Sequence, residues 1–215
     1  FRKKKNYKRS LMALKTSSLI SVLLIVFTIS VQAQNKIFPK LKANFENEKA
    51  FVADFEHVYY DSYTKESLSS EGKIWVSSDK YRLDSENQLL IVDGETSRVY
   101  DELRNRVIIS DYSEEDDDFA PSRMLNGVDS TYTITEEKMT NGRTKIIMKT
   151  EDDFALYLTV EIIVDAKATP ISITAYDFSD NEIITTFKNG SFLLKNEELF
   201  VLRYPQDAEI VDTRY

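Results

Sequence analysis

The chain has 215 residues, with 28 Lys and Arg against 36 Asp and Glu, one His and no Cys. Its first 33 residues hold seven basic residues (Arg2, Lys3, Lys4, Lys5, Lys8, Arg9 and Lys15) and no acidic one, so 28 less seven leaves 21 basic against 36 acidic residues beyond them, a formal charge of −15 rather than −8. A body this acidic repels phosphate backbones and excludes nucleic acid as a partner; the absence of Cys excludes a disulfide scaffold, a thiol nucleophile and a zinc-thiolate site, and one His leaves almost no room for a Ser-His-Asp triad or a multi-His metal site. Neither a metal nor a cofactor is expected.

The basic N-terminal run is followed by 13 largely apolar residues, Leu19 to Val31, interrupted by Ser21, Thr28 and Ser30. A spanning helix needs about 20 apolar residues, so the stretch reads as the apolar core of a secretory signal, with Val31-Gln32-Ala33 as a small-residue cleavage site before Gln34. Residues 1–33 are therefore expected to be a cleaved signal peptide and residues 34–215 one exported domain. The alternative is an uncleaved anchor. About 180 residues suits one domain with a sizeable core.

Residues 36–49 place Phe38, Leu41 and Phe45 at helical spacing, with Pro39 near the start, where a helix tolerates it. From there on the apolar period changes to two. Phe51, Phe55 and Tyr59 share one face of a first strand, and His57 has the same parity. Trp75 stands opposite Ile74 and Val76, and Tyr81 and Leu83 share parity in the next strand. Further alternating segments are Ser97–Tyr100, Arg106–Ile109, Lys145–Met148 and Ile183–Phe187, and a longer one runs from Phe154 to Val164. Asp93-Gly94, Asn126-Gly127, Asn141-Gly142 and Asn189-Gly190 are read as tight hairpin turns, since such pairs accept positive φ. Strands recurring every 8–12 residues predict an antiparallel sandwich or barrel. One stretch breaks the rhythm. Residues 114–126 are acidic first and then carry Phe119, Met124 and Leu125, which predicts a helical insertion ending at Asn126-Gly127.

The aromatic and aliphatic faces can form a filled core or the wall of a cavity, with Met124, Met139 and Met148 as soft wall residues. The sequence leaves that choice open. The run Glu114-Glu115-Asp116-Asp117-Asp118 lacks the alternating ligands and the Gly of a calcium loop and reads as a solvated loop. His57 reads as a core or wall histidine. No carboxylate pair stands out as the machinery of a glycosidase.

Taken in order, these residues resemble the LolA family of periplasmic carriers of outer-membrane lipoproteins. Phe51-Val-Ala-Asp-Phe55 is similar to the family's F-x-A-x-F first strand, and Glu71-Gly72-Lys-Ile-Trp75-Val76 to its E-G-x-(L/I)-W-V segment. Tyr81-Arg82-Leu83 follows. Leu90-Ile-Val-Asp-Gly94-Glu-Thr-Ser-Arg-Val-Tyr100-Asp101 then resembles L-(I/V)-x-D-G-x-x-x-x-x-Y-(D/N). Pro121-Ser-Arg-Met-Leu125 takes the place of a helix after the acidic loop. Asp177–Asn181, Phe187-Lys-Asn189, Phe200 and Pro205 fit the closing strands. The match spans about residues 37–210.

The resemblance implies a mainly β fold: an incomplete, unclosed antiparallel barrel of about 11 strands, with an N-terminal helix and a helical lid over an apolar cavity. It implies a non-enzymatic, monomeric periplasmic protein. Such a protein takes the acyl chains of lipoproteins from an inner-membrane ABC-type transporter and delivers them to the outer membrane, to an acceptor where one exists. Under that resemblance the chains would lie against Phe51, Phe55, Tyr59, Tyr81, Leu83, Ile91, Met124, Leu125 and Met148. Where the family has an Arg-Pro pair tied to lid closure, this chain has Ser77-Ser78 followed by Asp79, so closure is expected to be weaker or held by other contacts. Two other readings are an RseB-like domain that senses lipid-modified or unfolded outer-membrane proteins, and an exported hydrolase using a carboxylate pair.

Overall fold

The computed structural model describes residues 36–46, 49–113, 132–152 and 155–215. The expected signal peptide, the acidic run, the helical insertion with Met124 and Leu125, and Asn126-Gly127 lie outside the described residues. Among the described residues, no helix is long and apolar enough to cross a membrane.

Helix α1 covers Ile37–Glu46 and buries Ile37, Leu41 and Phe45, so its buried stripe follows the i, i+4, i+8 spacing. Among the described residues twelve strands follow: β1 (Lys49–Tyr60), β2 (Ser67–Val76), β3 (Tyr81–Ser85), β4 (Gln88–Val92), β5 (Thr96–Asp101), β6 (Arg106–Asp111), β7 (Thr133–Lys138), β8 (Thr144–Lys149), β9 (Thr159–Val164), β10 (Pro170–Tyr176), β11 (Glu182–Leu194) and β12 (Glu209–Asp212). They form a single sheet in the order β12-β6-β5-β4-β3-β2-β1-β11-β10-β9-β8-β7. β7 and β12 are its two edges, so the sheet is mainly antiparallel and unclosed, as expected. One strand more than expected is present, because the C-terminal β12 adds to β6, and it does so in parallel.

Register explains which residues meet. Phe51 pairs with Val76 and Phe192, Phe55 with Phe187, and Tyr59 with Ile183. Tyr81 pairs with Val76 and Val92, and Leu83 with Ile74 and Leu90. All of these lie on one face. Tyr81 and Val92 from β3–β4 share a buried cluster with Ile146 and Val164 from β8–β9, at the other end of the strand order. A flat sheet could not bring them together, so the sheet curls and this face is concave. Gly72 marks a bend. A Cβ placed there would stand 2.1 Å from the Asp84 carbonyl oxygen, so no other residue lets β2 approach β3 this closely.

Two turn expectations hold and one is corrected. Asn141 (φ 64°) and Gly142 (φ 74°) turn the chain between β7 and β8. Gly94 (φ 90°) turns it between β4 and β5, where the Asp93 carboxylate accepts from the Glu95 and Thr96 amides. Asn189-Gly190 is not a turn. It lies inside β11, where the register slips opposite Val52 and Asp54, and Asn189 (φ 57°) is the extra residue of a β-bulge. The Phe154–Val164 segment is likewise shorter than expected, with β9 starting at Thr159.

Candidate functional site

The concave face divides into a filled half and an open half. In the filled half, α1 packs Leu41 and Phe45 into the cluster that holds Phe51, Phe55, Met148 and Phe187. Phe45 meets Phe192 edge-on at 5.2 Å between ring centroids, and Phe51 meets Phe187 in the same way at 5.2 Å. Phe51 and Met148 are 0% exposed. These predicted wall residues are therefore solid core beneath the helix. The helix is held at its N-terminus by Glu136 of β7, whose two carboxylate oxygens accept from the amides of Ile37 (2.8 Å) and Phe38 (2.9 Å). That places a negative charge at the positive end of the helix and satisfies two donors that have no partner within it. Lys40 Nζ adds a bond to the carbonyl of Ala166 at 3.0 Å.

The open half lies over β3–β6. A cavity of about 470 Å³ is lined by Tyr81, Leu90, Ser97, Val99, Asp111, Tyr112 and Ser113. Its volume falls in the range of small-molecule sites, roughly 300–1,000 Å³. Tyr81 and Tyr112 meet at 6.4 Å in a T-shaped arrangement and form an aromatic wall. Leu90 pairs with Val99, and the two make its aliphatic floor. Ser97, Asp111 and Ser113 add polar residues to the lining. The lining is mixed, mainly apolar and aromatic with a few polar residues.

Between the halves, His57 Nδ1 lies 2.9 Å from Thr185 Oγ1, on the strand pair β1–β11. Burial holds the His57 imidazole below its ordinary pKa, which favours the neutral ring. Tyr59 and Leu83 are half-buried and pack against the main cluster. The expectation that His57 is a wall or core residue fits this placement.

Ile91 does not join this face. It pairs with Arg82 and packs with Ala50 and Phe200 in a second cluster on the convex side, with Trp75, Leu199 and Leu202 against it. Leu89 to Val92 are four apolar residues in a row, so their side chains alternate between faces without any change in residue type to mark it. Met139 is also no wall residue, being exposed in the β7–β8 turn. Leu90, Val99 and Tyr112 were missed. For Leu90 and Val99, pairing register was the available signal, since both follow from extending the Leu83 parity across two hairpins.

The Ser77–Asp79 segment engages the C-terminal part of the chain. Ser77 is buried, its hydroxyl bonds the Lys80 carbonyl, and Asp79 and Lys80 form ion pairs with Lys195 (2.8 Å) and Glu197 (2.6 Å). Arg82 lies over the Trp75 ring at 4.7 Å and points a guanidinium nitrogen at the Leu199 carbonyl. These contacts fasten the segment after β11 to the convex face.

No protein-family model matches the chain, and no curated protein matches its sequence. Solved structures do match. An uncharacterized conserved protein from Thermus thermophilus is 14% identical with a TM-score of 0.52, covering 82% of this chain and 96% of its own. A putative outer membrane lipoprotein-sorting protein domain from Vibrio parahaemolyticus is 14% identical with a TM-score of 0.42, covering 75% and 93%. A LolA superfamily protein from Nitrosomonas europaea is 9% identical with a TM-score of 0.41, covering 77% and 96%. The Thermus protein shares the overall fold.

Proposed function

We propose that this chain is a non-enzymatic carrier for the acyl chains of lipoproteins, working in a periplasm between an inner-membrane releasing transporter and the outer membrane. The observation that carries the reading is the groove over β3–β6, set in the concave face of an unclosed sheet and lined by Tyr81, Leu90 and Val99. An acyl chain costs about 0.8 kcal/mol for each CH₂ group left in water, so transfer across an aqueous space needs an apolar container. A container must also release its cargo. A sheet whose edges do not meet can widen without breaking its ladder. The order of residues from Phe51 through Asp101 supports the same reading through its resemblance to the LolA family.

The test is to purify the protein from the envelope and identify bound acylated protein or lipid by mass spectrometry, alongside a Leu90→Glu variant. Leu90 is half-buried and lines the groove, so the substitution places a charge there. The expected result is acylated cargo on the parent chain and none on a folded Leu90→Glu protein. A parent chain that stays free of lipid and fails to release lipoproteins from inner-membrane vesicles refutes the proposal.

A further inference from the structure

Two loops at one end of the sheet present aromatic side chains to solvent. Tyr63, between β1 and β2, is 93% exposed, and Phe178, between β10 and β11, is 72% exposed. Leu68, early in β2, is 71% exposed and pairs with Tyr59, whose parity belongs to the concave face. Leu68 therefore carries that face to the same end of the sheet.

These loops are built rather than loose. Asp61 accepts from the Tyr63 and Thr64 amides at 2.9 and 2.7 Å. Asp177 accepts from the Ser179 and Asn181 amides at 2.7 and 2.9 Å, and from the Asn181 side chain at 2.8 Å. The loops are also joined to each other. The Ser62 amide donates to Asn181 Oδ1 at 2.9 Å, and the Ser62 hydroxyl donates to the Ser179 carbonyl. Tyr63 and Phe178 each neighbour a residue in that junction, so their backbones are fixed side by side. Preorganised aromatic anchors lose little entropy on docking, which is what makes such side chains dominate interfaces.

Charge decides what they dock to. Residues 61–66 and 177–182 contain Asp61, Glu66, Asp177, Asp180 and Glu182 against the single cation Lys65. Five carboxylates repel an anionic lipid surface and a second copy of the same rim. We propose that the paired β1–β2 and β10–β11 loops form a docking surface for a polypeptide partner that offers an apolar pocket edged by Lys or Arg. The surface stands at the opposite end of β2 from the Ser77–Lys80 turn, and so away from the contacts that fasten the C-terminal segment.

The choice of probe rests on the carrier reading. The full chain is titrated onto vesicles of its native envelope, onto the same vesicles shaved with protease, and onto protein-free liposomes of the extracted lipids. A Tyr63→Ser/Phe178→Ser variant removes the anchors, and a Glu66→Lys/Asp180→Lys variant keeps them but reverses the rim. The expected result is saturable binding to intact vesicles only, weakened about tenfold or more by either variant and by raised salt. Equal binding to shaved vesicles or liposomes, self-association abolished by the first variant, or binding unchanged by both variants overturns the proposal. Groove-bound lipid is scored in parallel. A chain that carries lipid but docks nowhere refutes the docking surface alone, and a chain that docks but never carries lipid refutes the carrier reading alone.

Discussion

The contact between Glu136 and the start of α1 makes a quantitative prediction. The helix buries Ile37, Leu41 and Phe45, and three such side chains contribute about 1.5–3 kcal/mol each as an upper estimate. The Glu136 carboxylate adds two charge-assisted bonds to the first helical amides, at 2.8 and 2.9 Å. Loss of an N-terminal cap costs about 0.5–2 kcal/mol. Glu136→Ala should therefore leave α1 docked, since the apolar term is the larger, but raise the fraction of molecules in which it has lifted. A loss of about 1–2 kcal/mol corresponds to a fivefold to thirtyfold change in that equilibrium. Native-state hydrogen exchange of the Leu41–Glu46 amides is the assay, because it separates local opening from global unfolding. Protection of those amides should fall by that factor while β1 and β11 amides change less. Glu136→Gln, which keeps an acceptor oxygen, should fall between the two. Unchanged protection in Glu136→Ala, or an equal loss across α1, β1 and β11, would refute the reasoning.

Other substitutions test other parts of the same structure. Gly72→Ala puts a methyl group 2.1 Å from the Asp84 carbonyl oxygen and 3.0 Å from the Ser85 Cα, so backbone must move, and stability should drop by about 3 kcal/mol, roughly 6–12 °C in Tm by calorimetry. Asn189→Val forces a β-branched residue to φ near 57° and removes the bond to Asp54 Oδ2; a loss of about 1–2 kcal/mol in urea unfolding is expected. His57 gives a pH signature: its folded pKa lies below the ordinary 6.5, so the unfolded chain takes up a proton that the folded one refuses. That contribution to stability is complete above pH 6.5 and is lost as pH falls from there towards the folded value. His57→Gln should flatten the dependence of the urea midpoint on pH just below neutrality, and an unaltered slope would show that the imidazole does not titrate this way.

Strands were legible wherever one face was apolar and the other polar. Tyr81 and Leu83 against Arg82 and Asp84 show their parity because the residue type alternates with the face. Legibility failed where that contrast vanished, as at Leu89–Val92, and where a local signal had two meanings. Asn-Gly pairs report a need for positive φ, which a turn and a bulge share. Asn141-Gly142 reverses the chain, while Asn189-Gly190 only kinks β11, because pairing with β1 continues on both sides of it. The parallel β12 was invisible because Glu209–Asp212 is four residues long and its partner β6 is about a hundred residues away. The division of the concave face was illegible for a deeper reason. Composition gives the amount of apolar surface, but whether it is filled depends on where α1 lands, and that is set by its apolar stripe packing on strands far away in sequence, with Glu136 as a secondary tether.

That division bears on how a carrier can be stable and still open. If the whole concavity were empty, its lining would lose the contacts that hold a fold together. If all of it were packed like the region around Phe51 and Met148, no ligand could enter without displacing core. Here α1 closes one half with side chains at interior density, and that half supplies the stability. The other half needs only to hold shape, and the Tyr81–Tyr112 wall rests on β3 and the end of β6, of which β3 is braced on the convex side by the contacts of Arg82 with the Trp75 ring and the Leu199 carbonyl. Bracing from the convex side adds to the concave-side packing of Tyr81 and Val92 and lets β3–β6 keep a cavity beside them. The Ser77–Lys80 turn belongs to the same brace through Lys195 and Glu197. Cutting the brace should therefore disturb the groove without touching its lining, whereas loosening α1 should disturb the packed half first.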